Sequence, residues 1–123
     1  MAGEQVLVVE DNEKNMKLVR DILQATGYVA LEATTGEEAI ELAAAHRPAL
    51  VLMDVQLPGM SGVEALARLR GDERTSGIPV LAVTAQAMRG DRERFLDAGF
   101  DGYLSKPVDI LELIELVREH CRG

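Results

Sequence analysis

The sequence predicts an α/β fold: a (βα)5 doubly wound parallel sheet of five strands in the order 2-1-3-4-5. Three observations predict it. Five short apolar runs alternate with five stretches of helical period, the pattern of parallel strands joined by crossover helices. The first, third and fourth runs are apolar throughout, as central strands covered on both faces require. The second is interrupted by Glu32 and the fifth is short, which suits opposite edges, and right-handed crossovers then favour this order. A chain of 123 residues is one domain, 1–123, long enough to bury a core.

Taken in order, Val6 to Val9 form the first strand and end in Glu10-Asp11-Asn12. From about Asn12 to Thr26 the period becomes helical, with Met16, Val19, Ile22 and Leu23 on one face and Gly27 as the stop. Tyr28 to Ala33 is the second strand. Thr35 and Glu38 have the spacing of a capping box and open the second helix, which ends before Pro48. Ala49 to Met53 is the central strand, and Asp54 stands at its carboxyl end. Ser61 and Glu64 repeat the capping-box spacing, and Val63, Leu66 and Leu69 supply the third helix with its buried face. After a turn-rich segment from Gly71 to Gly77, Pro79 to Thr84 is the fourth strand. A fourth helix is expected from Ala87 to Ala98, stopping at Gly99. Gly102 to Ser105 is the fifth strand, followed by Lys106-Pro107. Asp109 and Glu112 cap a last helix whose Ile110, Leu113, Ile114, Val117 and Cys121 fit one stripe.

The resulting flavodoxin-like three-layer sandwich reverses direction between the first and third strands, where such sheets place their chemistry. Glu10, Asp11 and Asp54 end those two strands. Three carboxylates gathered there repel one another unless a hard cation holds them, and Mg²⁺ takes one or two carboxylates while keeping waters for substrate oxygens. Thr84 adds a hydroxyl and Lys106 a mobile ammonium, which together make a phosphoryl-transfer site.

Composition narrows the alternatives. A formal net charge of −8, with only two tyrosines and two phenylalanines, argues against direct nucleic-acid binding. No apolar run reaches the length of a membrane span and the N-terminus lacks the basic-then-apolar pattern of a signal peptide, so a cytoplasmic protein without membrane contact is expected. The single cysteine, Cys121, excludes an internal disulfide and reads as a small buried hydrophobe.

Over nearly its full length the chain resembles the receiver domain of CheY-like response regulators. The resemblance rests on Val9-Glu10-Asp11-Asn12, on Met53-Asp54-Val55-Gln56-Leu57-Pro58-Gly59-Met60-Ser61-Gly62, on Val83-Thr84-Ala85 and on Tyr103-Leu104-Ser105-Lys106-Pro107. It implies that Asp54 accepts a phosphoryl group from a sensor histidine kinase or a histidine phosphotransfer protein. Asp11, Asp54 and the Gln56 backbone carbonyl would bind Mg²⁺, with Glu10 acting through water. Thr84 and Lys106 would hold the phosphoryl oxygens, Tyr103 would be an aromatic switch, and the Lys106-Pro107 bond would be cis. A downstream protein would read the face made by the fourth helix, fifth strand and fifth helix. Gln56 and Gln86, two positions beyond the aspartate and the threonine, would flank the water that hydrolyses the phosphoryl group. Such a protein is no enzyme in the ordinary sense; it promotes only its own phosphorylation and dephosphorylation. Asn12, Asn15 to Leu18, Gly27-Tyr28 and Ala87 to Asp91 are similar to DivK-like single-domain regulators and equally to the receiver modules of hybrid kinases.

Three other readings compete. A haloacid-dehalogenase-like phosphatase also uses an aspartyl nucleophile with Mg²⁺, but needs a second aspartate two positions on as general acid, where this chain has Gln56. A flavin mononucleotide binder of the same fold would want a small, hydroxyl-rich phosphate loop where Glu10-Asp11 stand. A degenerate receiver that only binds partners would not need the complete five-residue set.

Overall fold

The computed structural model describes residues 3–85 and 91–121. Its elements, in order, are β1 Gln5–Val9, α1 Glu13–Ala25, β2 Val29–Ala33, α2 Gly36–His46, β3 Leu50–Asp54, α3 Gly62–Arg70, β4 Val80–Thr84, α4 Asp91–Ala98, β5 Gly102–Ser105 and α5 Ile110–His120. All strand pairs are parallel, and the sheet runs β2-β1-β3-β4-β5. The expected order and edges are therefore observed. Glu32, the residue that marked β2 as an edge, is exposed and its carboxylate takes the Arg20 guanidinium at 3.2 Å.

Alternation along the strands divides the core into two layers. Leu7, Val9, Val51, Met53 and Ala82 face Ala39, Ala43, Leu66, Leu69 and Phe95 from α2, α3 and α4. Val6, Val8, Leu50, Leu52 and Leu81 face Met16, Val19, Leu23, Leu113 and Val117 from α1 and α5. Every residue of β3 and β4 is buried, as both-face coverage requires. Cys121 is buried in the second layer. Burial pushes its thiol up to about 11, so it is a packing residue.

The caps form largely as the spacing indicates. Asn12 accepts from the N–H groups of Lys14 and Asn15, Thr35 from Glu38, Ser61 from Glu64 and Asp109 from Glu112. The Glu38 carboxylate takes the N–H of Thr34 at 2.7 Å, closing the box one residue earlier than usual. At the end of α1, Gly27 adopts φ +94 and the chain turns into β2; Tyr28 returns its N–H to Leu23, so the strand starts at Val29.

Two expectations about helix faces need correction. Val63 is 41% exposed, because Gly62, Ala65, Leu66 and Leu69 occupy the sheet-facing stripe of α3 and Val63 falls to its side. Ile110 is 51% exposed at the first turn of α5, where the helix has not yet come over the sheet; the stripe begins at Leu113. The expected start of the fourth helix at Ala87, and Gln86 with it, lie outside the described residues. Among the described residues, no helix is long and apolar enough to cross a membrane.

Candidate functional site

Strand register brings the site together. Val9 pairs with Met53, so Glu10 and Asp54 emerge level with each other from adjacent strands. Asp54 pairs with Val83 and Thr84 with Ser105, which sets Thr84 and Lys106 one step further on. The Lys106 N–H donates to the Thr84 carbonyl at 2.8 Å, continuing the ladder past β5. The following Lys106-Pro107 peptide bond is cis.

The carboxylates are held by main chain and lysine. The Glu10 carboxylate accepts the Asn12 N–H at 3.1 Å through one oxygen and takes Lys106 Nζ at 2.7 Å on the other. Asp54 Oδ1 accepts the Gln56 N–H at 2.9 Å, and Oδ2 takes Lys106 Nζ at 3.0 Å. One ammonium thus bridges two acids that are each about 5% exposed. Asp11 is exposed beside them, and one oxygen from each of Glu10, Asp11 and Asp54 lies within 4.8 Å of the others. Three convergent hard oxygens, one of them open to solvent, fit Mg²⁺ and leave room for water. Thr84 is 1% exposed at the end of β4.

Burial pushes the Glu10 carboxyl above its ordinary value of 4.5, outweighing the Lys106 and Asn12 hydrogen bonds that pull it down; Asp54 raises it further. At Lys106 burial favours the neutral amine, but the bonds to Glu10 and Asp54 prevail and the ammonium is held above its ordinary range. The Glu10 shift has a sign that can be checked. From pH 4.5 up to its raised value, native Glu10 keeps a proton that the unfolded chain has released. Stability of the metal-free protein therefore falls as pH rises through that interval. Urea midpoints in chelator will show this slope, and Glu10→Gln will flatten it; an equal slope in the variant would assign it elsewhere.

Tyr103 is half-buried on β5, its ring 6.0 Å from Phe95, which meets Phe100 edge-on at 6.0 Å. Beside it lies a groove of about 430 Å³ whose lining includes Leu96, Gly102, Ser105, Glu112 and Leu116 from α4, β5 and α5. Sequence reasoning missed Arg70. Its guanidinium donates to the carbonyls of Ser76, Ile78 and Gly99 and to Asp101 at 2.7 Å, fastening α3 to the loops that lead into β4 and β5. Those partners are scattered along the chain, and no local pattern announces them.

Residues 6–118 match the family model of the response regulator receiver domain. The polar-differentiation response regulators DivK of Brucella anthropi and Brucella ovis are each 48% identical over 115 residues, 94% of this chain and 94% of theirs. The receiver domain of the sensor histidine kinase PA1611 from Pseudomonas aeruginosa, solved with a magnesium ion in its active site cleft, superposes with TM-score 0.90 at 34% identity. That match covers 99% of this chain and 100% of the other. The chemotaxis protein CheY4 of Vibrio cholerae gives TM-score 0.88 at 27% identity over 96% and 98% of the two chains.

Proposed function

We propose that this chain, which belongs to the response regulator receiver domain family, is over residues 1–123 a single receiver that takes a phosphoryl group on Asp54. The observation that carries the reading is the bridge of Lys106 between Glu10 and Asp54, with Asp11 completing the acid cluster. A sensor histidine kinase or a histidine phosphotransfer protein is the donor. The dehalogenase-like alternative has no support in the matched family, and Gln56 cannot serve as its acid.

A carboxylate oxygen of Asp54 attacks the phosphorus in line. A new oxygen–phosphorus bond forms, the bond to the donor imidazole nitrogen breaks, and the electron pair leaves with that nitrogen. Half-buried Lys106 is already within reach of Asp54, and moves from the carboxylate to the phosphoryl oxygens, joined by the Thr84 hydroxyl. Asp11, Asp54 and the Gln56 carbonyl would hold Mg²⁺, with Glu10 acting through water; the ion supplies positive charge to the phosphoryl oxygens. Gln56 and Gln86 set the lifetime: neutral amides can orient a water but cannot take its proton, whose removal is typically worth ~10²–10⁴-fold. As Thr84 moves, Tyr103 turns, and the groove between α4, β5 and α5 changes shape for a downstream protein. A cytoplasmic place and a role limited to its own phosphorylation and dephosphorylation follow from this reading.

The test is to incubate the protein with Mg²⁺ and a small acyl phosphate and weigh it intact. One phosphoryl group, labile in base and dependent on Mg²⁺, is the expected gain; none, or one on another residue, overturns the proposal. Asp11→Asn will weaken Mg²⁺ roughly tenfold or more, since it removes a direct ligand; an unchanged titration would remove Asp11 from the ligand set.

A further inference from the structure

We infer that Gly36 and Gly62 are positioning residues for the metal site, fixing through their missing side chains the path of the main chain after Asp54. Neither glycine has a positive φ, so no turn requires it. Both open helices and are buried. With neither a turn nor a positive φ to call for glycine at these first helical positions, the space it leaves is the feature to explain.

At Gly62 that space is filled by backbone. A Cβ there would stand 2.5 Å from the Asp54 carbonyl oxygen and 2.8 Å from the Val55 Cα. Its own N–H donates to the Val55 carbonyl at 3.1 Å, so the first turn of α3 rests directly on the end of β3. Backbone atoms cannot swing aside as a side chain can. At Gly36, the first residue of α2, a Cβ would stand 3.2 Å from Met60 Cβ, Cγ and Sδ. Met60 is half-buried against the core on that side of the sheet.

The loop from Val55 to Met60 is thus pinned at both ends, by Gly62 under its start and Gly36 under its finish. Between the pins sits Gln56, whose N–H holds Asp54 Oδ1. Its carbonyl is the ligand assigned above, so the inference rests on that reading of the site. A methyl at Gly62 shifts Asp54 and Gln56 together. One at Gly36 acts through Met60 and shifts them less. Gly36 lies 18 residues before Asp54 in sequence and belongs to none of the motifs that define the site.

The experiment compares Gly62→Ala, Gly36→Ala, Met60→Ala and the double variant Gly36→Ala/Met60→Ala, each confirmed folded by circular dichroism. Two readouts are taken: Mg²⁺ affinity by titration, and the position of the Gln56 amide resonance in metal-free protein. We expect Gly62→Ala to weaken Mg²⁺ roughly tenfold and to move the Gln56 amide, as loss of supporting contacts around a metal does. Gly36→Ala gives a smaller loss of the same kind, and Met60→Ala restores it by removing two of the three crowded atoms. Affinity and amide position at wild-type values in both folded glycine variants would overturn the inference. So would a Gly36→Ala defect that Met60→Ala leaves untouched. If Gly62→Ala does not fold, the Gly36 and Met60 set decides alone. If the wild type binds no Mg²⁺, the reading of the site fails instead, while the metal-free amide still reports whether the glycines set the loop.

Discussion

Asp54→Asn will take up no phosphoryl group under conditions that modify the wild type, and this is the largest effect expected of any single change. The amide keeps the size and shape of the carboxylate. Its oxygen can still accept the Gln56 N–H that holds Asp54 Oδ1 at 2.9 Å, so the loop after β3 has no reason to move. What is lost is nucleophilicity: a neutral amide oxygen does not form a stable phosphoryl ester, and no buried hydroxyl can inherit the reaction. Thr84, though close in the register, is a donor whose hydroxyl would need a base to become a nucleophile. Mg²⁺ will also bind less tightly, because a charged ligand has become neutral. Intact mass at saturating acyl phosphate, followed by peptide mapping, measures the first effect; a full-yield adduct in the variant would show that Asp54 is not the acceptor. Circular dichroism that matches the wild type would show that the loss is chemical and not a failure to fold.

The strand order could be read because two local facts, the charge of Glu32 and the brevity of the fifth run, pick out the edges of a sheet whose other strands must be covered on both faces. The level meeting of Glu10 with Asp54 followed from that order, since parallel neighbours of similar length end together. Helix faces were less legible. Period places Val63 and Leu66 on neighbouring positions of α3, but cannot say that Gly62, with no side chain, takes the sheet-facing place and turns Val63 outward. Nor can it say where along α5 the sheet begins to cover the helix, so period alone puts Ile110 on the buried stripe although it is exposed. Contacts between distant residues were not legible at all. Arg70 meets Asp101 across 31 positions, and the second use of that Asp101 oxygen, accepting the Val80 N–H at 2.8 Å, is a property of the folded chain only. That Glu10, Asp11, Asp54 and Lys106 gather at the strand ends could be read residue by residue. That a single ammonium would serve two of the acids could not, because it depends on where a four-carbon stem is laid.

That shared ammonium leads to the second large effect. In metal-free buffer near neutral pH, Lys106→Met will destabilise the fold by about 3 kcal/mol, the lower end of the cost of removing one partner from a buried pair. Methionine preserves most of the apolar stem, so the change is mainly electrostatic. Glu10 and Asp54 are left facing each other with side chains 6% and 5% exposed and no cation between them. The lower end applies because Lys106 itself keeps 16% exposure and the pair is partly solvated. Two conditions should repair the loss. Mg²⁺ restores a cation to the cluster and will raise the urea midpoint of the variant more than that of the wild type. Acid will do so as well: without Lys106 the Glu10 carboxyl rises further above 4.5, so protonating it removes the repulsion. At the alkaline end the two proteins should converge. The stabilisation from Lys106 is complete below its ordinary 10.5 and is lost as pH climbs through its raised native value. Phosphorylation of the variant will be slower by roughly 10²–10³-fold, the usual effect of deleting one donor aimed at developing charge. A variant as stable as the wild type in chelator, and as quickly phosphorylated, would mean that the bridge between Glu10 and Asp54 contributes nothing to either the fold or the chemistry.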